Sequence, residues 1–132
     1  MKLVLPHNIQ NSIYEHVKKE YPKECCGVLI GKTKKQVLFC TESIKTNNIA
    51  ANPYNFFEID NQKIIDIQKK YREKNLTIIG HYHSHPNSAL RSTPSETDID
   101  SIFDKDLCWV IIGINGDFIE LSAYFPIKSI ND

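Results

Sequence analysis

The sequence predicts an α/β (α+β) fold, a single domain in which a mixed central β-sheet is flanked by helices. Amphipathic helical segments alternate with short runs of strand-forming apolar residues, and this intermixing is typical of a sheet with helices packed against it. The chain has 132 residues, with no internal repeat and no linker-like segment. We therefore predict one domain over residues 1–132.

The first third of the chain predicts a helix followed by paired strands. A short strand over 2–5 ends at a proline, and isoleucine or valine at every fourth position predicts an amphipathic helix over 7–20. The apolar run CGVLIG predicts a buried strand over 26–31. The overlapping letters GKTKK predict a turn, and a second strand is predicted over 36–44.

The rest of the chain predicts two more helices and further strands. An asparagine-rich loop leads to a brief strand, FFEI, and to a helix over 61–74 that Asp60 can cap. Another helix is predicted to start near Pro94. The dipeptide Asn115–Gly116 lies between two apolar runs, which is a strong hairpin signal. The remaining strands are predicted at 76–83, 107–114 and 117–125.

Composition narrows the partners and the compartment. Sixteen basic residues balance sixteen acidic ones, so we expect no binding to nucleic acid or to an anionic membrane. No apolar run is long enough to span a bilayer, and the first residues carry no secretory signal. The four cysteines form no CxxC pair, so we interpret them as reduced, mostly buried thiols of a cytoplasmic protein.

The segment HYHSHP, residues 81–86, places three histidines at alternate positions of a strand end. Because alternate residues share a face, His81, His83 and His85 are predicted to line one side of the strand. Protonated imidazoles repel one another, whereas a shared metal ion holds them neutral. A surface feature without a metal is the alternative for so short a motif. Three ligands on one strand edge would strain a tetrahedral site, so we expect His81 to be partly buried beside it.

Downstream, the letters TPSETD predict a helix start. Thr93 can cap this helix, with Pro94 as its first residue and Glu96 closing a capping box. That assignment leaves Ser95 and Asp98 without a capping role on one helix face. In the alternative, Ser95 caps the helix and Asp98 closes the box. An Asp98 without a capping role can be a third metal ligand, and three protein ligands plus water are typical of a catalytic zinc.

Three separated segments together resemble the JAMM (MPN-plus) metalloprotease family. They are ECCGVLIG at 24–31, HSHP at 83–86 and PSETD at 94–98, which follow the family order of Glu, His-x-His-Pro and Ser-x-x-Asp. Three segments in order are much more specific than any one of them. One departure is a loop of eight residues between Pro86 and Ser95, two longer than the family pattern.

Carried over residue by residue, the resemblance implies a compact, prokaryotic MPN-like domain with one catalytic zinc ion (Zn2+). His83, His85 and Asp98 would be the zinc ligands. Glu24 would be the general acid/base, and Ser95 would stabilise the oxyanion.

The resemblance also implies an activity, that of a zinc metallopeptidase acting as a deubiquitinase-like isopeptidase. The bond would be a peptide or isopeptide bond at the C-terminal glycine of a ubiquitin-like or sulfur-carrier protein, or in a short peptide. Water would attack directly, so no cysteine is expected to be a nucleophile. The alternative is a non-catalytic MPN-type interaction module. Exposed strand edges allow a homo-oligomer without specifying one.

Overall fold

The computed structural model describes residues 1–86, 107–116 and 118–125. Within them, two helices and six strands are formed, in agreement with the predicted class. The helices are α1 (His7–Glu20) and α2 (Asn61–Arg72). The strands are β1 (Lys2–Val4), β2 (Cys26–Lys34), β3 (Val37–Thr46), β4 (Thr77–His85), β5 (Cys108–Asn115) and β6 (Phe118–Tyr124).

The six strands form one mixed sheet in the order β1-β3-β2-β4-β5-β6. β1 pairs with β3 and β4 pairs with β5 in parallel, and the other neighbours are antiparallel. β2 and β4 are therefore the two central strands. Residues 26–31 of β2 and 78–85 of β4 are buried throughout, as expected for strands whose two faces are both covered.

The two helices pack on opposite faces of this sheet. Ile13 and Val17 of α1 lie in one core cluster with Leu29 of β2, whereas Ile67 of α2 lies in the other cluster with Val28. Successive side chains of β2 thus pack into opposite cores, because neighbouring residues of a strand point to opposite faces. Burial of each such aliphatic side chain contributes about 1.5–3 kcal/mol.

Most predicted elements are confirmed, with small shifts at their ends. α1 has the predicted bounds, and the Asp60 side chain accepts a hydrogen bond from the Gln62 N–H (3.1 Å) at the start of α2. β4 runs two residues further than predicted and so includes His85. The final hairpin forms, with Asn115 opposite Phe118. The helix predicted near Pro94 and the chain after residue 125 lie outside the described residues.

The turn predicted at GKTKK is wrong. β2 continues through Lys34, which pairs with Val37, and the chain reverses at Lys35 and Gln36. These two residues have φ of 50° and 65°, because a two-residue hairpin turn of this hand needs positive φ at both positions. Lysine and glutamine do not favour positive φ, so the sequence does not indicate this turn.

The strand predicted at FFEI is also wrong. Residues 56–59 join no ladder. Their backbone is held by the preceding loop instead, through the Ile49 N–H to the Glu58 carbonyl (3.0 Å) and through the side chain of Asn48. A side-chain amide here takes the place of a neighbouring strand. In the part of the chain that the structure describes, no helix is long and apolar enough to cross a membrane.

α1 is tied to the sheet by a buried polar contact as well as by apolar packing. Nδ1 of His16 lies 2.6 Å from the hydroxyl of Tyr82 on β4. Burial lowers the pKa of His16, Lys45 and Lys19 lower it further, and Glu20 partly offsets them. The native state therefore favours neutral His16 more than the unfolded chain does.

This pKa shift predicts a pH dependence of stability. Below the ordinary histidine pKa of 6.5, the unfolded chain takes up the His16 proton more readily than the native protein, so the free energy of unfolding falls as the pH falls. We expect the wild type to lose more stability than His16→Gln between about pH 7.5 and pH 5.5. Urea denaturation of both proteins at each pH measures this, and a stability difference that is constant with pH would contradict it.

Candidate active site

Three histidines form a continuous row on one face of β4. The ring centroids of His81 and His83 are 5.5 Å apart, and those of His83 and His85 are 5.0 Å apart. His83 is fully buried and His85 is 7% exposed. The prediction that alternate histidines share a face is therefore confirmed, and the row reaches the end of the strand.

Glu24 reaches the same end of the sheet from a distant part of the sequence. β2 and β4 are antiparallel with Cys26 opposite His83, and the Ser84 N–H donates to the Cys25 carbonyl (3.0 Å) one step further on. Continued by one more residue, this register would bring Glu24 next to His85, and the alternation of a strand would put it on the face that carries the histidines. Glu24 is 7% exposed.

Ser84, between the two histidines, secures this register. Its Oγ accepts a hydrogen bond from the Cys25 N–H at 2.8 Å, so the backbone just after Glu24 is bound to the side chain of the residue before His85. A role for Ser84 was not predicted. The signal in the sequence is a polar residue on the strand face opposite the histidines, where a buried hydroxyl needs a hydrogen-bond partner.

An aromatic ring covers His83. Phe57 stacks on the imidazole with centroids 4.2 Å apart and an interplanar angle of 16°, and it also lies 5.6 Å from His81. On its other side, His81 contacts Trp109 at 5.7 Å. His81 thus lies in an aromatic cluster and is buried, at 7% exposure, rather than partly buried as predicted. Stacking covers the face of the His83 ring, whereas an imidazole binds metal in its ring plane, through a nitrogen at the edge.

The cysteines beside Glu24 are unsuited to nucleophilic chemistry. All four cysteines are free and buried, as predicted. Burial raises the pKa of Cys25 to about 12, despite the opposing hydrogen bond from Ser84, and raises that of Cys26 to about 11. At neutral pH both are thiols, and the thiolate is the reactive form.

The donor set fits part of a zinc site. His83 and His85 present two adjacent imidazoles at one strand end, and zinc prefers imidazole nitrogen and carboxylate oxygen. Within residues 1–86, 107–116 and 118–125, no group of three His, Cys, Asp or Glu side chains is arranged to hold a metal. The third predicted ligand, Asp98, and the predicted oxyanion residue, Ser95, lie outside those ranges.

Comparison with known proteins connects this geometry to a family. The family model described as prokaryotic homologs of the JAB domain matches residues 6–124. A solution structure of a protein from Desulfitobacterium hafniense shares the fold, with a TM-score of 0.81 at 24% identity over 93% of this chain and 82% of that one.

Two relatives have named activities. The chain is 31% identical to a desampylase of Haloferax volcanii over 101 residues, which cover 74% of this chain and 70% of that protein. It is 24% identical to a CysO-cysteine peptidase of Mycobacterium tuberculosis over 110 residues, which cover 83% and 72%.

The Ser84 contact predicts a stability effect. Ser84→Ala leaves the buried Cys25 N–H without its acceptor, which costs about 1–3 kcal/mol. Ser12→Ala is the matched control, because the exposed Ser12 hydroxyl donates to the Asn8 carbonyl one turn earlier in α1. We expect its stability to stay within about 0.5 kcal/mol of wild type. Urea denaturation distinguishes the two, and equal effects would show that the Ser84 hydroxyl is not needed.

Proposed function

The chain belongs to the family of prokaryotic homologs of the JAB domain, and we propose that it is a zinc-dependent metallopeptidase. Its substrate is a peptide or isopeptide bond at the C-terminal glycine of a ubiquitin-like or sulfur-carrier protein. The relatives support the class of reaction, since one is called a desampylase and another a CysO-cysteine peptidase. They support hydrolysis at a linkage of this kind.

The observation that carries the proposal is that three buried polar side chains, Glu24, His83 and His85, belong to the same end of the β2–β4 pair. Cys26 lies opposite His83 and Ser84 bonds Cys25, so a continued register would bring Glu24 next to His85. Packing alone does not favour several buried polar groups side by side, because their desolvation is costly. A shared catalytic task would account for buried polar side chains at this end of the strand pair.

In this proposal the zinc ion is held by His83, His85 and Asp98. When bound in such a site, zinc supplies Lewis acidity, which makes water acidic enough to lose a proton near neutral pH. A Glu24 carboxylate oxygen takes that proton from the attacking water and then gives it to the nitrogen of the leaving amine. The Ser95 hydroxyl donates a hydrogen bond to the carbonyl oxygen of the cleaved bond as negative charge develops on it.

The extended tail of a ubiquitin-like protein suits the position of this site. The histidine row ends where β4 leaves the sheet, so the reacting groups lie at the sheet's end. Because the tail ends in glycine, no side chain stands next to the carbonyl that must approach these groups. The amine side of the bond can then carry either a lysine side chain or an amino acid.

Replacing the proposed acid/base tests the mechanism directly. With zinc and a linear ubiquitin-like fusion as substrate, we expect wild type to release the two products and Glu24→Gln to keep its zinc but react about 100-fold to 10,000-fold more slowly. Glu20→Gln is the control, since Glu20 is an exposed residue at the end of α1. Product mass measured over time gives the rates.

Two outcomes would overturn the proposal. Equal rates for Glu24→Gln and wild type would remove Glu24 from the mechanism. Stoichiometric binding of the fusion by wild type without cleavage would instead support the interaction module.

Two histidines on the same strand face allow a matched test of the ligands. His83→Ala is expected to lose bound zinc, whereas His81→Ala, two residues earlier on the same strand face, keeps about one zinc per chain. Metal content by mass spectrometry checks this, with thermal melts to show that both variants fold. Loss of zinc from His81→Ala would mean that three histidines bind the metal.

A further inference from the structure

We propose that Asn48 is a positioning residue of the active site, which holds the backbone of Glu24 and the backbone around Phe57 in one hydrogen-bonded unit. The significance of Glu24 and His83 rests on the function proposed above. The hydrogen bonds of Asn48 are properties of the fold, and they are tested separately from the proposed function.

The side-chain amide of Asn48 uses its full bonding capacity. Its nitrogen donates to the carbonyls of Glu24 and Phe56, both at 2.9 Å. Its oxygen accepts from the N–H groups of Ala50 at 3.1 Å and Glu58 at 3.0 Å. Two donor hydrogens and two acceptor lone pairs are all that an asparagine amide has. Aspartate lacks the donors, so the position requires asparagine.

Glu24 depends on this loop because it lies outside the sheet ladder. β2 begins at Cys26, so Glu24 precedes the first ladder residue of that strand. Its N–H donates to the Pro53 carbonyl at 2.7 Å, and its carbonyl accepts from Asn48. Both backbone groups of the proposed acid/base are therefore bonded by residues 48–53, and these bonds set the direction in which its side chain leaves the backbone.

The same amide fixes the residue that covers His83. Asn48 bonds the carbonyl just before Phe57 and the N–H just after it. The Phe57 ring then stacks on the imidazole at 4.2 Å. One side chain thereby links the position of the carboxylate residue to the ring plane of a proposed metal ligand. A misplacement of about 1 Å in such groups can cost about 100-fold in rate.

Asn48→Asp tests the link with little change of shape. The substitution keeps an acceptor for Ala50 and Glu58 but turns a carboxylate oxygen towards the Glu24 and Phe56 carbonyls. Asn52→Asp is the control, because it makes the same chemical change in the same loop. The Asn52 Oδ1 accepts only from the Tyr54 N–H (3.3 Å) among the contacts seen, and that bond survives the change.

The first readout is NMR of the metal-free proteins, which needs no activity. For Asn48→Asp we expect hydrogen exchange at the Glu24 amide to be at least about tenfold faster. The His83 ring protons should also shift as the Phe57 ring current moves, whereas Asn52→Asp matches wild type in both. If Asn48→Asp also matches wild type, the inference is wrong whatever the enzyme does.

The second readout is kinetic and is made below the melting temperature of each variant. We expect Asn48→Asp to lower kcat at least about tenfold while KM changes less than about threefold. A role in stability alone would lower the melting temperature and leave kcat unchanged, which would overturn the inference. A zinc-loaded wild type that cleaves nothing would contradict the proposed function instead, and the NMR result would still decide the role of Asn48.

Phe57→Leu supplies a second variant in case Asn48→Asp does not fold. It removes the ring from His83 and leaves the Asn48 bonds, so zinc affinity measured against a chelator should fall several-fold with Glu24 amide exchange unchanged. Phe56→Leu is its control, since Phe56 is 43% exposed. Equal zinc affinities for the two variants would overturn the part of the inference that concerns His83.

Discussion

The antiparallel register of β2 against β4 is the constraint on which the rest of the structure depends. On the α1 face, Gly27 lies opposite Tyr82, and a Cβ at Gly27 would collide with the Tyr82 ring. The register is therefore fixed by the fit of a large side chain against a glycine. Tyr82 in turn bonds His16 of α1. A slip of one residue would send every histidine of β4 to the other face. The packing around Gly27 therefore also sets the position of the site.

The two faces of β4 carry different tasks. Tyr82 faces α1 and belongs to the larger apolar core, while the histidine row faces the side of α2. Phe57 and Trp109 flank that row. Aromatic packing stabilises imidazoles without using their ring nitrogens. The site is thus flanked by aromatic contacts that hold the imidazole rings in place through their faces.

Local sequence patterns predicted most helices and strands of this fold. They could not predict which distant residues the loop would bind. The helix α1 follows from a period of 3.6 residues, and the shared face of His83 and His85 follows from a period of 2. Both periods can be recognised within a short stretch of sequence. The pairing of β2 with β4 was not predicted. Glu24 was assigned to the site from the family resemblance of three separate segments, and not from a predicted strand pairing. Ser95 and Asp98 stay predictions.

The role of Asn48 was missed for a physical reason. Asparagine in a segment with proline predicts a loop, and nothing in the sequence shows which distant carbonyl an asparagine amide will reach. The strand predicted at FFEI was wrong for a similar reason, because half-buried Phe57 packs against His83 and the segment joins no ladder. Both errors concern residues whose environment is made by parts of the chain far away in sequence.

The position of Glu24 just outside the ladder explains why the loop over residues 47–58 matters to the site. A ladder residue has its backbone direction fixed by neighbouring strands, whereas the Glu24 backbone is bonded by the loop and lies next to the Ser84–Cys25 contact. Apolar burial in the two cores supplies most of the stability of the fold. The orientation of the carboxylate, by contrast, depends on a few polar bonds that add little to that total. Stability and the geometry of the site are therefore carried by different contacts, so the loop can change the precision of the site while the sheet stays intact.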